Sequence, residues 1–247
     1  MDKTKRLRSK KNFTRKNTNV YGSSFKIKKI NNIITKENAN KLKEIISEFF
    51  ENEILSKINN CPRPVKKTYG DFVERSKGRF EIIPPTPLEN KIWKILLENE
   101  RFLETNNEIK EIITKNNGKC IEELCILPVE PNTRGGVWHR DIFLYSKKDF
   151  ERNPYYITQL IYLDDKANTK FCINSQNNSD NNVELYTKQT IKAQPLSSVI
   201  FDGRTLHKGL KNYSKYTRYA IYISYFDSSY VDKESVKPPI LHKKTLC

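Results

Sequence analysis

The apolar residues of this 247-residue chain change their spacing near Gly118, and that change restricts the folds that the chain can adopt. Before Gly118 they recur every three or four residues, which places them on one face of an α-helix. After it they form short stretches rich in β-branched and aromatic residues, which is typical of strands. Helices followed by strands predict an α+β protein with a β-sandwich or barrel in its C-terminal half.

Three helices are expected in the N-terminal half. The first covers residues 36–58, where the apolar residues form a single stripe. The second begins at Thr86-Pro87-Leu88-Glu89, whose Thr, Pro and Glu match a capping box with Thr as the cap. The third covers residues 107–117 and ends at Gly118. Residues 61–79 are rich in proline and basic residues and are expected to form a loop.

Short apolar stretches separated by turn-rich segments predict the strands of the C-terminal half. These stretches are residues 121–129, 135–145, 155–163, 183–192, 197–202 and 218–226. The longest connection between them, residues 164–182, is rich in Asn, Asp and Ser and is expected to be a loop that shapes substrate specificity.

The net charge of +16 is concentrated at the N-terminus. Residues 1–30 contain eleven Lys or Arg and one acidic residue, without apolar periodicity, and are expected to form a flexible basic arm. Any contact with nucleic acid is therefore expected through this arm only, because the rest of the chain carries little excess positive charge.

The composition excludes several classes of protein. No stretch approaches the roughly 20 apolar residues that span a membrane, and the charged N-terminus does not resemble a secretory signal. Five cysteines without a C-x-x-C pair exclude a zinc ribbon and argue against a disulfide scaffold. We therefore expect an intracellular protein, cytoplasmic or nuclear, in a reducing compartment and without a membrane.

Histidine is rare in this chain, with three in all, and two of them lie in informative surroundings. His139 and Asp141 occupy a strand-like stretch, where residues i and i+2 face the same side. His207 follows a second apolar strand. If these strands are neighbours, two imidazoles and one carboxylate form the facial triad that binds non-haem Fe(II), with positions left for a chelating co-substrate and O2.

Arg218 suggests what that co-substrate is. It lies eleven residues after His207 and begins a strongly apolar stretch. An oxygenase that uses 2-oxoglutarate must hold the distal carboxylate of this acid, and a guanidinium binds a carboxylate with two parallel hydrogen bonds.

These residues belong to four segments that resemble the phytanoyl-CoA dioxygenase-like family of Fe(II)- and 2-oxoglutarate-dependent oxygenases. The segments are Gly136-Val137-Trp138-His139-Arg140-Asp141, Ile200-Phe201-Asp202-Gly203-Arg204-Thr205-Leu206-His207-Lys208-Gly209, Asn212-Tyr213-Ser214 and Arg218. The resemblance covers about residues 121–226. It implies a double-stranded β-helix (jelly-roll or cupin-like) core with an N-terminal helical layer. It also implies that His139, Asp141 and His207 bind iron and that Arg218 binds 2-oxoglutarate.

Two further co-substrate contacts and a domain organisation complete the prediction. Thr158 matches a family position that often offers a hydrogen bond to the co-substrate, and Tyr145 keeps the strand parity of the ligands. The expected organisation is a basic arm (1–30), a single oxygenase domain (31–230, with helices in 36–117 and a jelly roll in 119–226) and a C-terminal tail (231–247).

The expected function is hydroxylation of a C–H bond in a small-molecule substrate, with succinate and CO2 as co-products. Arg79 and Arg134 are candidates for binding an anionic group of that substrate. Two alternatives remain open. One is a non-catalytic jelly-roll binding protein that its basic arm tethers to nucleic acid or an acidic surface. The other is a cupin-like enzyme that uses a different metal and does not need Arg218.

Overall fold

A computed structural model describes residues 25–65, 72–115, 119–142, 154–165, 167–192 and 194–228. The helices of this part of the chain are α1 (Lys36–Phe49), a π-helical segment (Phe50–Leu55), α2 (Ser56–Ile58), α3 (Thr86–Leu97) and α4 (Glu100–Thr114), with 3-10 turns at Ser175–Asn177 and Val183–Leu185. The strands are β1 (Lys28–Ile30), β2 (Phe72–Ser76), β3 (Arg79–Ile82), β4 (Cys120–Ile126), β5 (Tyr156–Tyr162), β6 (Thr169–Cys172), β7 (Lys188–Ile191), β8 (Ser198–Asp202), β9 (His207–Gly209) and β10 (Ala220–Asp227).

The first predicted helix is present over its full length, because α1, the π-helical segment and α2 follow one another without a break. Thr35 caps its start, since its hydroxyl accepts a hydrogen bond from Asn38 N at 3.1 Å. The stripe seen in the sequence is its buried face, on which Leu42, Ile46 and Phe50 have no exposed surface.

The capping box predicted at Thr86 is wrong. Pro85 is the residue that precedes the helix, in an extended conformation, and no side chain caps the first turn. The carbonyl of Pro85 instead accepts hydrogen bonds from Leu88 N and Glu89 N, both at 2.9 Å. Thr86 therefore lies inside α3 as its first residue, one position later than the capping box requires.

The boundary between the second and third helices also differs from the prediction. The helical conformation is interrupted at Glu98–Asn99. The helix α4 therefore begins seven residues before the expected start of the third helix. The Asn99 amide donates to Ile95 O at 2.8 Å, which satisfies the end of α3, and its oxygen accepts from Thr35 N at 2.9 Å. One polar side chain therefore ends α3 and joins it to the start of α1.

Two antiparallel sheets form the rest of the fold. The larger sheet has seven strands in the order β1-β8-β5-β10-β4-β3-β2, and the smaller sheet has three in the order β7-β6-β9. β5 lies between β8 and β10, with Thr158 opposite Phe201 on one side and Ser224 on the other. This arrangement places the centre of β5 in the middle of the larger sheet.

Alternation along the central strands gives the larger sheet two different faces. Ile157, Ile161 and Ile223 pack with the helices in the main hydrophobic core. Leu160 and Tyr162, on the opposite face, pack with Phe171 of the smaller sheet. The helical layer therefore covers one face of the larger sheet, while the other face looks toward the smaller sheet.

Several strands were absent from the prediction. The expected loop 61–79 contains β2 and leads into β3, and residues 28–30 of the expected arm form the edge strand β1. Residues 164–182 contain β6. Conversely, residues 135–142 form no regular strand and pair with their neighbour at a single bridge, His139 with His207.

Cys120, Cys125 and Cys172 are free thiols. None of the described helices combines the length and the apolar character that a membrane crossing requires. Most of the predicted arm (1–24) and the predicted tail (231–247) lie outside the described residues.

Candidate metal centre

His139 and His207 lie directly opposite each other on two antiparallel segments. His139 N donates to His207 O at 3.0 Å, and His207 N donates to His139 O at 2.9 Å. Their ring centroids are 4.3 Å apart. Asp141 lies two residues further along, held by a hydrogen bond from its own N to Gly203 O at 2.9 Å. Local backbone pairing therefore brings two distant parts of the sequence together.

The turn before His207 is built by the segment Asp202-Gly203-Arg204. The buried Asp202 carboxylate accepts hydrogen bonds from Arg204 N at 2.9 Å and from Arg204 Nε at 2.8 Å. Gly203 passes so close to Tyr156 that an added Cβ would lie 2.5 Å from its ring, so only glycine fits. The sequence after β8 thus fixes the position at which His207 enters β9.

The three predicted ligands meet around one point. Asp141 Oδ1 lies 3.7 Å from His139 Nε2 and 3.4 Å from His207 Nε2. All three ligand atoms lie within 4.8 Å of one another, and this is the one such group found within the described residues. Two imidazole nitrogens and a carboxylate oxygen, gathered in this way, are the donor set of the facial triad that suits non-haem Fe(II).

Both imidazoles are oriented by the backbone. His139 Nδ1 lies 3.0 Å from Val137 O, and His207 Nδ1 lies 3.0 Å from Thr205 O. A carbonyl oxygen only accepts, so each Nδ1 carries the proton and each Nε2 is left with its lone pair directed at the shared point. Contacts of this kind hold metal-binding histidines in the required tautomer.

Thr158 has a different partner from the one expected. Its hydroxyl donates to Asp141 Oδ2 at 2.6 Å, which leaves Oδ1 facing the two imidazoles. The structure therefore places Thr158 behind a predicted metal ligand, as a group that orients the carboxylate. A direct contact between Thr158 and the co-substrate stays a prediction.

The two histidines differ in their exposure. The His139 side chain is 48% exposed, whereas the His207 side chain is 6% exposed and packs against Phe201 and Phe171 at centroid distances of 4.7 and 5.8 Å. Burial lowers the pKa of His207, and the nearby charge of Asp141 offsets part of this effect. His207 is therefore held in the neutral form that binds a metal ion.

A cavity of about 520 Å³ lies between the two sheets and opens onto the metal centre. Its lining includes all three ligands, Arg218 and, from the floor of the larger sheet, Leu160, Tyr162 and Tyr222. On β5 the lining residues are Leu160 and Tyr162, which lie two positions apart on one face, so β5 contributes roughly 7 Å to the cavity floor.

Arg218 is positioned by backbone carbonyls. Its Nη2 donates to Leu210 O at 2.6 Å and its Nη1 to Lys211 O at 3.3 Å, while its own N donates to Val129 O. Burial, together with the neighbouring charge of Arg79, lowers the pKa of Arg218 to about 10. At neutral pH the guanidinium therefore remains charged and lines the same cavity as the metal ligands.

Sequence reasoning missed Tyr222 and Arg140, two side chains that line this cavity. Tyr222 lines the cavity and its hydroxyl lies 3.1 Å from that of Tyr156. Tyr222 has the same strand parity as Arg218, which is the signal that identifies it. No pattern in the sequence marks Arg140 as part of the site, because its role depends on contacts with a distant loop. Its guanidinium donates to carbonyls of the loop at 175–180, including Ser175 O at 2.9 Å. Tyr145 lies outside the described residues.

No protein-family model matches the chain, and no curated protein matches it. Many solved structures resemble it, and two of them are described here. AviO1 from Streptomyces viridochromogenes Tue57 is 17% identical, with a TM-score of 0.57 over 84% of this chain and 92% of its own. SnoN, described as a non-heme alpha-ketoglutarate-dependent epimerase from nogalamycin biosynthesis, is 11% identical, with a TM-score of 0.57 over 82% of this chain and 77% of its own.

At these identities the likeness shows the fold alone. It confirms the predicted α+β class with a jelly-roll core, the fold that the chain shares with AviO1 and SnoN. Membership of the phytanoyl-CoA dioxygenase-like family stays a prediction, because no family model matches.

Proposed function

We propose that this protein is an Fe(II)- and 2-oxoglutarate-dependent dioxygenase that hydroxylates a C–H bond of a small-molecule substrate. One observation carries the proposal. The ligand atoms of His139, Asp141 and His207 lie within 4.8 Å of one another, and they line a cavity that also contains the guanidinium of Arg218. A carboxylate-binding group at this position has a clear use in a 2-oxoglutarate enzyme and none in a simple metal-binding protein.

The donor set fits ferrous iron. Two neutral imidazoles and one carboxylate give a mixed nitrogen and oxygen site of the kind that non-haem iron enzymes use. The three residues leave one side of the site open to the cavity. With 2-oxoglutarate and O2, bound Fe(II) supplies an oxidant strong enough to remove hydrogen from a C–H bond, and succinate and CO2 are the co-products.

The chain contributes binding and orientation. Val137 O and Thr205 O hold the imidazole tautomers, and Thr158 holds the Asp141 carboxylate. Arg218 binds the distal carboxylate of 2-oxoglutarate and so fixes which end of the co-substrate faces the metal. Leu160 and the neighbouring apolar lining exclude water from the space between them.

Because SnoN is similar in fold, the reaction outcome that needs a test is hydroxylation as opposed to epimerisation. SnoN is described as an epimerase, and an epimerase does not add oxygen to its product. For this chain, hydroxylation predicts a product heavier by one oxygen atom, which mass spectrometry of a metabolite mixture incubated with the enzyme detects. Consumption of 2-oxoglutarate without a product heavier by one oxygen atom would contradict hydroxylation. It would still agree with a reaction that depends on Fe(II) and 2-oxoglutarate.

Replacing His139 tests the proposal against the alternative of a non-catalytic binding protein. We expect the wild type to form succinate from 2-oxoglutarate in the presence of Fe(II) and O2, and we expect His139→Ala to lose this activity because the metal loses a ligand. The matched control is His242→Ala, which removes the one histidine outside the predicted site. Succinate formation at the wild-type rate by His139→Ala would show that the assignment is wrong.

A further inference from the structure

Arg79, the first residue of β3, lines the same cavity as the metal ligands and Arg218. Its guanidinium lies over Gly209, where an added Cβ would come within 2.3 Å of Arg79 Nη2. Gly136 lies on the segment that carries His139 and Asp141, and a Cβ added there would lie 3.6 Å from Arg79 Nε. The guanidinium therefore occupies the space that a side chain at position 209 would fill.

This position is defined relative to the metal centre. Gly209 lies two residues after His207 on β9, so their side-chain directions share one face and lie roughly 7 Å apart. Arg79 Nη1 also lies 3.4 Å from Leu210 O, the carbonyl to which Arg218 Nη2 donates at 2.6 Å. The two guanidiniums thus meet at one carbonyl, that of the residue directly after β9.

The charge of Arg79 is not balanced by a carboxylate within the described residues. Its hydrogen bonds run to two backbone carbonyls, Arg134 O and Leu210 O, both at 3.4 Å. Burial lowers the pKa of Arg79, and its charge contributes to the lowered pKa of Arg218. Two like charges held close together in a partly buried cavity are unfavourable unless an anion lies between them.

We propose that Arg79 is a second ligand for the distal carboxylate of 2-oxoglutarate, which it shares with Arg218. This inference rests on the proposed function. Two methylene groups separate the chelating end of 2-oxoglutarate from its distal carboxylate, and both arginines line the cavity into which that carboxylate would extend. A carboxylate has two oxygens and about four acceptor sites, enough for two guanidinium forks. The assignment replaces the expectation that Arg79 binds an anionic group of the substrate.

A pair of keto acids separates this role from a structural one. 2-Oxopentanoate has the same chelating end as 2-oxoglutarate but carries a methyl group in place of the distal carboxylate. Under anaerobic conditions each acid is titrated into the protein with Fe(II), and binding is followed by the visible charge-transfer band of the chelate. The variants are Arg79→Gln, Arg79→Lys and Arg218→Gln. Arg101→Gln is the control, because Arg101 is exposed on α4 and does not line the cavity.

We expect Arg79→Gln to weaken 2-oxoglutarate binding about tenfold to a hundredfold, because hydrogen bonds to a charged group are lost. Binding of 2-oxopentanoate should stay unchanged, since it makes no contact with the distal site. Arg79→Lys should fall between, because lysine keeps the charge and loses the fork. Arg218→Gln should behave like Arg79→Gln, and Arg101→Gln like the wild type.

Two results would overturn the inference. Unchanged 2-oxoglutarate affinity in Arg79→Gln would show that Arg79 does not contact the co-substrate. Equal weakening of both keto acids would show that Arg79 supports the cavity as a whole. Absence of the band in the wild type with either acid is a different result, because it would reject the proposed function itself.

Discussion

Each residue of the metal centre depends on a contact that cannot be inferred from its own position in the sequence. The pattern His139-Arg140-Asp141 indicates two donors on one face, because the spacing of two residues is local. The groups that orient the imidazoles are backbone carbonyls, which every residue possesses. Thr158 has the right parity to face the cavity, but its partner depends on the separation of two sheets, and this distance is a property of the folded chain.

The hydrogen bond from Thr158 to Asp141 leads to a prediction about metal affinity. Thr158→Val should weaken Fe(II) binding about tenfold to a hundredfold, because the carboxylate loses the donor that orients it. Thr158→Ser should bind nearly as well as the wild type, because it keeps the hydroxyl. Anaerobic titration with Fe(II) measures both affinities. Equal affinities for the Val and Ser variants would contradict the orienting role.

At the scale of elements, the hairpin of β2 and β3 shows where sequence patterns fail. The segment before the hairpin is polar and proline-rich in sequence. The hairpin itself is held by a buried carboxylate. Glu74 has no exposed side-chain surface and accepts hydrogen bonds from Val65 N at 2.6 Å and Gly78 N at 2.7 Å. Its third partner is Arg63, which also pairs with Glu130. This cluster holds the hairpin that carries Arg79 into the cavity.

Glu74→Gln should reduce the free energy of unfolding by roughly 3 kcal/mol, because it leaves the partly buried Arg63 with one fewer carboxylate. Burial alone would raise the pKa of Glu74, but Arg63 and the two amides together lower it. A lowered pKa contributes stability above the usual carboxyl pKa of about 4.3, which is lost as the pH falls through the folded-state value.

Urea unfolding of the wild type and Glu74→Gln, at neutral pH and at about pH 3, measures both effects. The difference between the two proteins should be large at neutral pH and should shrink at the acidic pH. Glu81→Gln is the control, because Glu81 is 37% exposed and pairs with an exposed arginine. A difference that is the same at both pH values would contradict the role given to the Glu74 charge.

For the whole molecule, the class of fold and the paired donors His139 and Asp141 could be predicted from the sequence, because helix and strand periodicity and a spacing of two residues are local. The helix stripe at 36–58 and the apolar alternation on β10 require no partner to be recognised. Edge strand β1 and the break at Asn99 escaped prediction, because each depends on contacts with distant segments. The metal centre lies between the two sheets. His207 belongs to the smaller sheet, and Asp141 contacts the larger sheet through Thr158.

A metal ion at this junction should therefore stabilise the entire fold. Binding to the folded state alone adds about 2.7 kcal/mol when the free metal is at 100 times its Kd, which raises Tm by several degrees. Mn(II) serves as an air-stable probe in a thermal unfolding experiment, and a chelator should reverse its effect. Asp141→Asn should show little or no increase. An increase of the same size in Asp141→Asn would place the metal elsewhere.

The most direct test of the metal centre is an anaerobic titration of the protein with Fe(II) in the presence of 2-oxoglutarate, followed by visible absorption. The wild type and His242→Ala should develop the charge-transfer band of the chelate and saturate at one iron per chain. Single alanine variants of His139, Asp141 and His207 should each fail to develop it. A folded wild type without the band, or a His207→Ala variant that keeps it, would contradict the assignment of these three residues to one ferrous site.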